Sequence, residues 1–180
     1  MRQLFWILFL GVGRLSAQSL LAGAEFTNFT WEKLNNSDAE GNGWGRGLTL
    51  QGTRPLTSVL EMGLAISAGE FNENVTTPGI WDLAPYGRLN GQFIWSPLKS
   101  IMIKETRYSV RVFGGYSLNY VPAFGSLGYK KVHTDVGLGL RQILRFGEHT
   151  GVFADVSHHQ RLGADFKTML CVRSGLLFSY

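Results

Sequence analysis

The sequence contains a single cysteine, Cys171, among 180 residues, so no disulfide can form within the chain. Beyond the first 17 residues there is no run of around 18 apolar residues, which leaves no candidate transmembrane helix. No window shows a convincing period of 3.6 residues. The charge is also mild, because 17 basic residues stand against 13 acidic ones for a net charge of +4. This is too little to indicate a nucleic-acid-binding protein.

Residues 1–17 have the composition of a secretory signal peptide. Arg2 supplies a positive start, Leu4–Val12 is an apolar run, and Leu15-Ser16-Ala17 is a passable cleavage site. We therefore expect a signal peptide over 1–17 and one exported domain over 18–180. That domain has 15 basic and 13 acidic residues, a net charge near +2. Without a disulfide it must be stabilised by packing or by closure in a membrane.

The last fifteen residues, 166–180, alternate between apolar and mixed positions. Successive side chains of a β-strand point to opposite faces, so this period of two predicts a strand with one apolar face. The stretch is longer than the average strand of about 5–6 residues. It fits a tilted membrane-crossing strand of about 9–11 residues with an extension at one end.

The same period of two recurs along the chain and predicts eight strands. They cover about residues 20–30, 44–53, 60–67, 83–95, 107–119, 132–141, 152–159 and 166–180. Compact connections follow the second, fourth and sixth strands, and more polar or glycine-rich ones follow the others. This alternation, with both chain ends beside the compact turns, is typical of membrane barrels. The sequence therefore predicts an all-β fold, an eight-stranded antiparallel up-and-down transmembrane β-barrel.

Each predicted strand has one apolar face and one face that carries the charges. A soluble sheet turns its apolar face inward, whereas an outer-membrane barrel turns it to lipid and fills its interior with polar groups. The export signal favours lipid, and so do aromatic residues near strand ends on the apolar face. These aromatics are Trp44, Trp95, Tyr108, Tyr120, Phe178 and Tyr180.

An eight-stranded barrel has an interior just wide enough for side chains to fill, so we expect a packed lumen. Buried charges there must be paired, because an unpaired one costs several kcal/mol. The predicted lumen charge network is Glu25, Glu61, Arg88, Arg107, Arg111, Asp135, Arg141, Asp155, Lys167 and Arg173. Counting from shared turns places three pairs at the same level: Glu25 with Arg173, Glu61 with Arg88, and Asp155 with Arg141. An ion-conducting lumen is the alternative to this salt-bridged plug.

The signal peptide, the eight alternating strands, the short turns and the aromatic C-terminus resemble the small outer-membrane barrels of the OmpA N-terminal domain and OmpX type. The resemblance includes no signature motif, so it assigns no functional residue. It implies a bacterial outer-membrane location with both termini periplasmic, and outer-membrane lipid and lipopolysaccharide as partners. In such barrels the assembly machinery reads the terminal pattern, here Phe178 and Tyr180. We expect a monomer with no cofactor, no metal and no nucleic-acid partner.

An enzymatic site is conceivable at Ser157-His158-His159 with Asp165 close behind. Lipid A deacylases of the PagL type use a His-x-Ser pair plus an acid, but the order here is Ser-x-His. Strand rise separates Ser157 from His159 by about 7 Å. A nucleophile–base hydrogen bond needs about 2.6–3.2 Å.

We therefore expect no enzyme and interpret these residues as a polar loop entrance with solvated histidines. Cys171 faces the lumen by parity and is interpreted as buried filler. The sequence favours a structural or surface-interaction barrel with a closed lumen and contact loops. A PagL-like lipid A-modifying enzyme and a small-conductance pore are the alternatives.

Overall fold

The structure is a computed structural model that describes residues 18–31, 41–73, 83–98, 100–103, 105–120, 132–162 and 168–180. The predicted signal peptide, Asp165 and Lys167 lie outside these residues. Within this part of the chain no helix is long and apolar enough to cross a membrane. The strands are β1 (Ser19–Trp31), β2 (Gly41–Pro55), β3 (Leu60–Glu73), β4 (Leu83–Trp95), β5 (Ile101–Ile103), β6 (Thr106–Tyr120), β7 (Val132–Phe146), β8 (Thr150–Arg161) and β9 (Thr168–Ser179).

All the strands except the short β5 close into one antiparallel barrel. Long strands that follow each other in the chain are paired, β4 pairs with β6 across β5, and β9 pairs with β1. Following the register once around the barrel from Ser19 leads back to Phe29 of the same strand. This stagger, from residue 19 to residue 29, tilts the strands against the barrel axis. The predicted eight-stranded up-and-down barrel is confirmed.

Among the described residues, strand β5 is the one addition to the predicted strands. The sequence predicts a turn from Ser96 to Thr106, but Ile101 pairs with Tyr108 and Ile103 with Thr106 in a small hairpin. Isoleucine is β-branched and favours extended backbone, which accounts for a strand within this connection.

The first and last described residues, Gln18 and Tyr180, lie at the same end of the barrel as the compact turns. The N–H of Tyr180 donates to the carbonyl of Gln18 at 3.0 Å, and the β2–β3 turn is closed by the N–H of Leu56 donating to the carbonyl of Leu60 at 2.8 Å. Gly147 in the β7–β8 turn has a φ of 81°, a conformation that favours glycine. We call this end of the barrel the turn end and the opposite end the loop end.

The outer face of the barrel is apolar, and the inner face is largely polar. The outward side chains of Leu48, Leu138 and Trp44 are 74%, 65% and 60% exposed. Inward positions instead carry buried charges. A continuous belt of exposed apolar side chains is unfavourable in water but is required where strands contact lipid. The predicted inversion of the two faces is therefore present in the fold.

Charged residues limit the apolar belt at both edges of the outward face of β2. Near the loop end Arg46 pairs with Glu70 at 3.5 Å, and both side chains are more than half exposed. Near the turn end Arg54 is exposed, one residue before β2 ends. The strand length between Arg46 and Arg54 is about 26 Å at ordinary strand rise. Because the strands are tilted, the height of this stretch along the barrel axis is somewhat less than the apolar band of about 25 Å that membrane barrels present.

Candidate functional site

The lumen is filled by side chains whose charges cancel. Among the described residues, three carboxylates and three arginines in the lumen are at most 5% exposed. One unpaired charge in such surroundings would cost several kcal/mol. The six residues are Glu25, Asp135 and Asp155 on one side and Arg88, Arg141 and Arg173 on the other.

Asp155 is the centre of the first charge cluster. Arg141 donates to its Oδ2 from Nε and Nη2 at 2.9 and 2.6 Å, and Arg173 Nε donates to its Oδ1 at 2.8 Å. The Phe113 ring lies close to both arginines, with its centroid 5.1 and 5.6 Å from their Cζ atoms, a cation–π distance. Gln51 Oε1 accepts a further bond from Arg141 Nη2 at 2.7 Å. The cluster blocks the middle of the lumen with groups that hold each other in place.

An apolar cluster closes the lumen below Asp155, toward the turn end. It contains Leu21, Ile143, Phe153 and Leu177, each at most 4% exposed. The Phe153 ring centroid lies 5.6 Å from Arg141 Cζ. The charged and apolar layers are therefore in direct contact.

Glu25 anchors a second charge cluster nearer the loop end. Its carboxylate accepts bonds from Ser67 Oγ at 2.8 Å, Tyr86 Oη at 3.2 Å and Arg88 Nη1 at 3.4 Å. Arg88 Nη1 also lies 3.4 Å from Cys171 Sγ. Cys171 is completely buried, in keeping with its interpretation as lumen filler.

Ser157, His159 and Asp135 form a hydrogen-bonded chain in the loop-end half of the lumen. Ser157 Oγ lies 2.9 Å from His159 Nε2, and His159 Nδ1 lies 2.7 Å from Asp135 Oδ1. Asn119 Nδ2 donates to the other oxygen of Asp135, and Arg88 Nη2 lies 3.3 Å from His159 Nε2. An arginine can only donate, so Nε2 is the acceptor, Nδ1 carries the proton toward Asp135, and Ser157 and Arg88 share the single lone pair of Nε2.

The expectation that Ser157 and His159 are too far apart for a hydrogen bond is wrong. Strand rise gives the separation of the backbones, but both side chains point into the lumen and the imidazole reaches back along β8. Two glycines on the neighbouring strand give them room, because Gly137 pairs with His159 and Gly139 with Ser157. A Cβ at Gly137 would collide with the His159 ring, and one at Gly139 would lie 2.7 Å from Ser157 Cβ. The expectation of solvated histidines is wrong for His159, which is 1% exposed, whereas His158 points outward and is exposed.

Two of the three expected charge pairs lie at the same level. Asp155 is directly opposite Arg141 and bonded to it. Glu25 is opposite Arg173, although it forms its ion pair with Arg88 at 3.4 Å.

The third expected pair, Glu61 with Arg88, is wrong. Residues at one level of an antiparallel pair lie equally far from their shared connection. Glu61 lies at the turn end of β3, opposite Ile94, whereas Arg88 lies in the loop-end half of β4, opposite Ser67. Glu61 instead accepts a 2.5 Å bond from Arg111 Nη1 on β6.

The remaining members of the predicted network lie outside the buried clusters. Glu61 and Arg111 are partly exposed, with side-chain exposures of 20% and 14%. Arg107, close to the turn end of β6, is exposed, and Lys167 lies outside the described residues.

Neutral polar residues complete the lumen and were not among the predicted site residues. Gln51 Nε2 donates to Gln92 Oε1 at 3.1 Å, and Asn90 Nδ2 donates to Ser117 Oγ at 2.8 Å. Their parity places all of them on the charged face of their strands, so the alternation that identified the charges could have identified them as well. The described residues contain no group of three or more histidine, cysteine, aspartate or glutamate side chains suited to a metal ion.

A solved outer membrane protein has a fold similar to this barrel. The outer membrane protein OprG from Pseudomonas aeruginosa matches with a TM-score of 0.52 and 10% identity, over 91% of this chain and 96% of that one. The protein has the fold of an outer-membrane β-barrel. Neisserial surface protein A and Ail, the attachment invasion locus protein of Yersinia pestis, match with TM-scores of 0.49 and 0.44 at 10% and 8% identity. These matches cover 89% and 90% of this chain and 97% and 99% of the other two chains.

No protein-family model and no curated protein sequence matches this chain. At 10% identity the likeness to OprG establishes the fold of this outer-membrane β-barrel and assigns no residue a role. The chemistry of the barrel is therefore argued from its own lumen and surfaces.

Proposed function

We propose that the protein is a bacterial outer-membrane barrel with a closed lumen, whose connections at the loop end contact partners outside the cell. Both chain ends and the turn end would face the periplasm. Lipopolysaccharide is the partner that such loops meet first. Residues 32–40, 74–82, 121–131 and 163–167 belong to these connections and lie outside the described residues.

The filled lumen is the observation on which this proposal rests. Phe113, Arg141, Asp155 and Arg173 are each at most 4% exposed and form one contiguous layer in the interior. Ions that pass this layer would have to separate Asp155 from arginines at 2.6–2.9 Å. Breaking a buried ion pair costs about 3–5 kcal/mol, and this cost opposes the passage of ions through the lumen. We therefore place the function on the outer surfaces of the barrel.

Single-channel recording in planar bilayers tests the closed lumen. The wild-type barrel should give no conductance steps. A double variant, Phe113→Ala with Arg141→Ala, removes two of the three large side chains of this layer and is the control that should raise conductance if it folds. Regular steps from the wild-type protein would contradict the proposal and favour a small pore.

Loop replacement tests the contact surface. Exchanging residues 32–40 for a glycine–serine stretch of equal length should weaken binding to lipopolysaccharide-coated surfaces. Exchanging residues 56–59 in the β2–β3 turn is the matched control and should not. Unchanged binding after replacement of all four loop-end connections would contradict a contact role for them.

A second candidate function, hydrolysis of a lipid ester, is favoured by the Ser157–His159–Asp135 chain. Ser157 would attack, His159 would accept its proton, and Asp135 would hold the imidazole in the required tautomer. The distances of 2.9 and 2.7 Å suit these roles. Ser157 and His159 are each only 1% exposed, which favours a structural role for the same bonds.

Lipid A mass spectrometry distinguishes the two functions. The lipid A of cells with the wild-type gene, with a Ser157→Ala variant and without the gene should be identical if the chain is structural. An acyl group that disappears only with wild-type protein would establish the enzyme, with Ser157 as its nucleophile.

A further inference from the structure

An apolar groove runs along the outer face of β2, β3, β4 and β6. Its volume is about 410 Å³, within the range of about 300–1,000 Å³ that is usual for small-molecule sites. Its walls present almost only apolar atoms. The outward residues that line it are Gly52, Arg54, Met62, Leu64, Gly91, Phe93 and Tyr116.

Two outward-facing glycines create the floor of the groove. Gly52 pairs with Leu64, Leu64 with Gly91, and Gly91 with Tyr116, so these four residues form one level across four strands. A Cβ added at Gly91 would meet no atom within 4 Å. The side chains of Phe93 and Tyr116 flank this open floor and are 59% and 50% exposed. Together with the floor they form a slot for a slender apolar chain.

A single cation lies at the turn-end margin of the groove. Arg54 lines the groove, pairs with Met62 in the register and is the last residue before Pro55 ends β2. The other outward arginine of this strand, Arg46, is paired with Glu70. Among the described residues Arg54 has no ion pair, so its guanidinium is available for an anion. Phosphate oxygens match its fork of N–H donors.

We propose that the groove binds one glycerophospholipid, with an acyl chain along Gly52 and Gly91 and the phosphate on Arg54. The face belongs to the lipid-facing belt, so the group that fills it is a membrane lipid. Arg54 lies where the belt ends, at the depth of lipid headgroups. The choice of a glycerophospholipid over lipid A rests on the proposed function, because that function places the turn end in the periplasmic leaflet.

Native mass spectrometry of the detergent-purified barrel, titrated with phosphatidylglycerol, tests the site. The wild-type protein should retain one lipid at concentrations at which further lipids are lost. Arg54→Gln should weaken this retention by roughly five-fold, the contribution of one arginine near an anionic headgroup. Gly91→Leu should abolish it by filling the floor.

Gly87→Leu is the matched control. Gly87 also faces outward on β4 with nothing within 4 Å of an added Cβ, but it does not line the groove. This variant should retain the lipid like wild type, and the heat-dependent gel mobility of every variant reports that it is folded. Equal retention by wild type, Arg54→Gln and Gly91→Leu would overturn the site, as would equal loss in Gly87→Leu. Preferential retention of lipid A would overturn the assignment of a glycerophospholipid. Conductance by the wild type would overturn the proposed function and leave this measurement unaffected.

Discussion

Asp155→Asn is the substitution that most directly tests the paired lumen. The change keeps the size and shape of the side chain and removes one charge. Asp155 accepts three bonds from Arg141 and Arg173. The variant therefore leaves three buried arginines with two buried carboxylates, Glu25 and Asp135.

The expected loss follows from the burial of this group. Asp155 and both arginines are at most 4% exposed, and removing one partner of a buried pair costs about 3–5 kcal/mol. The matched control is Glu70→Gln, which makes the same chemical change in the exposed pair with Arg46. An exposed pair contributes at most about 1 kcal/mol, so the two variants should differ clearly in free energy of unfolding.

Denaturant unfolding in lipid vesicles measures both variants. Tryptophan fluorescence follows the transition, and the mobility of unboiled protein on a detergent gel gives the folded fraction independently. A double variant, Asp155→Asn with Arg173→Met, restores equal numbers of buried carboxylates and arginines. It should recover part of the stability that the single variant loses.

A loss below about 1 kcal/mol for Asp155→Asn would refute the reasoning, because it would match an exposed pair. The lumen would then be hydrated enough to screen the charges. A double variant less stable than the single one would show that Arg173 stabilises the barrel by packing on Phe113, not by its charge.

Three further predictions concern the belt, the seam and the serine–histidine chain. Leu138→Arg should destabilise the barrel in vesicles by about 2–4 kcal/mol, because an arginine there meets the apolar part of the bilayer; a milder effect in lipid than in detergent would count against the outward assignment. Deleting residues 178–180 should lower membrane levels, because β9 would no longer pair fully with β1 and unpaired backbone groups in lipid are costly; normal levels would argue against this. Gly137→Ala should lower the free energy of unfolding by about 1–3 kcal/mol, because the added methyl group overpacks the lumen. It should also displace His159, which would change the NMR resonance of the imidazole. An unchanged resonance would disprove the close packing of that glycine.

The alternation of residues predicts the face of each side chain, and this part of the fold agrees with the sequence. Leu48 and Leu138 face outward, while Glu25 and Arg173 face inward at the same level. Period two carries this information because a strand has only two faces. The same period does not show how far a residue lies from the connection between two strands, so it does not fix their register. For this reason the expected pairing of Glu61 with Arg88 is wrong.

The partners of the lumen side chains depend on contacts across the barrel, which a linear pattern does not encode. Glu25 on β1 bonds Arg88 on β4, and Glu61 on β3 bonds Arg111 on β6. Neither pair comes from strands that are hydrogen-bonded to each other. Such contacts follow from the curvature that closes the sheet, and they appear only when the barrel diameter and stagger are known.

Glycines show most clearly how one residue type acquires opposite roles on the two faces. Gly137 faces inward and leaves space that His159 occupies, so this glycine completes a packed interior. Gly91 faces outward and leaves space that no described side chain fills. The interior beside Gly137 is therefore already occupied by a side chain of the barrel, whereas the space beside Gly91 lies on the membrane side and is filled by none of the described residues. We therefore expect a ligand that binds to the strands, and not to the loop-end connections, to lie in the lipid-facing groove beside Arg54.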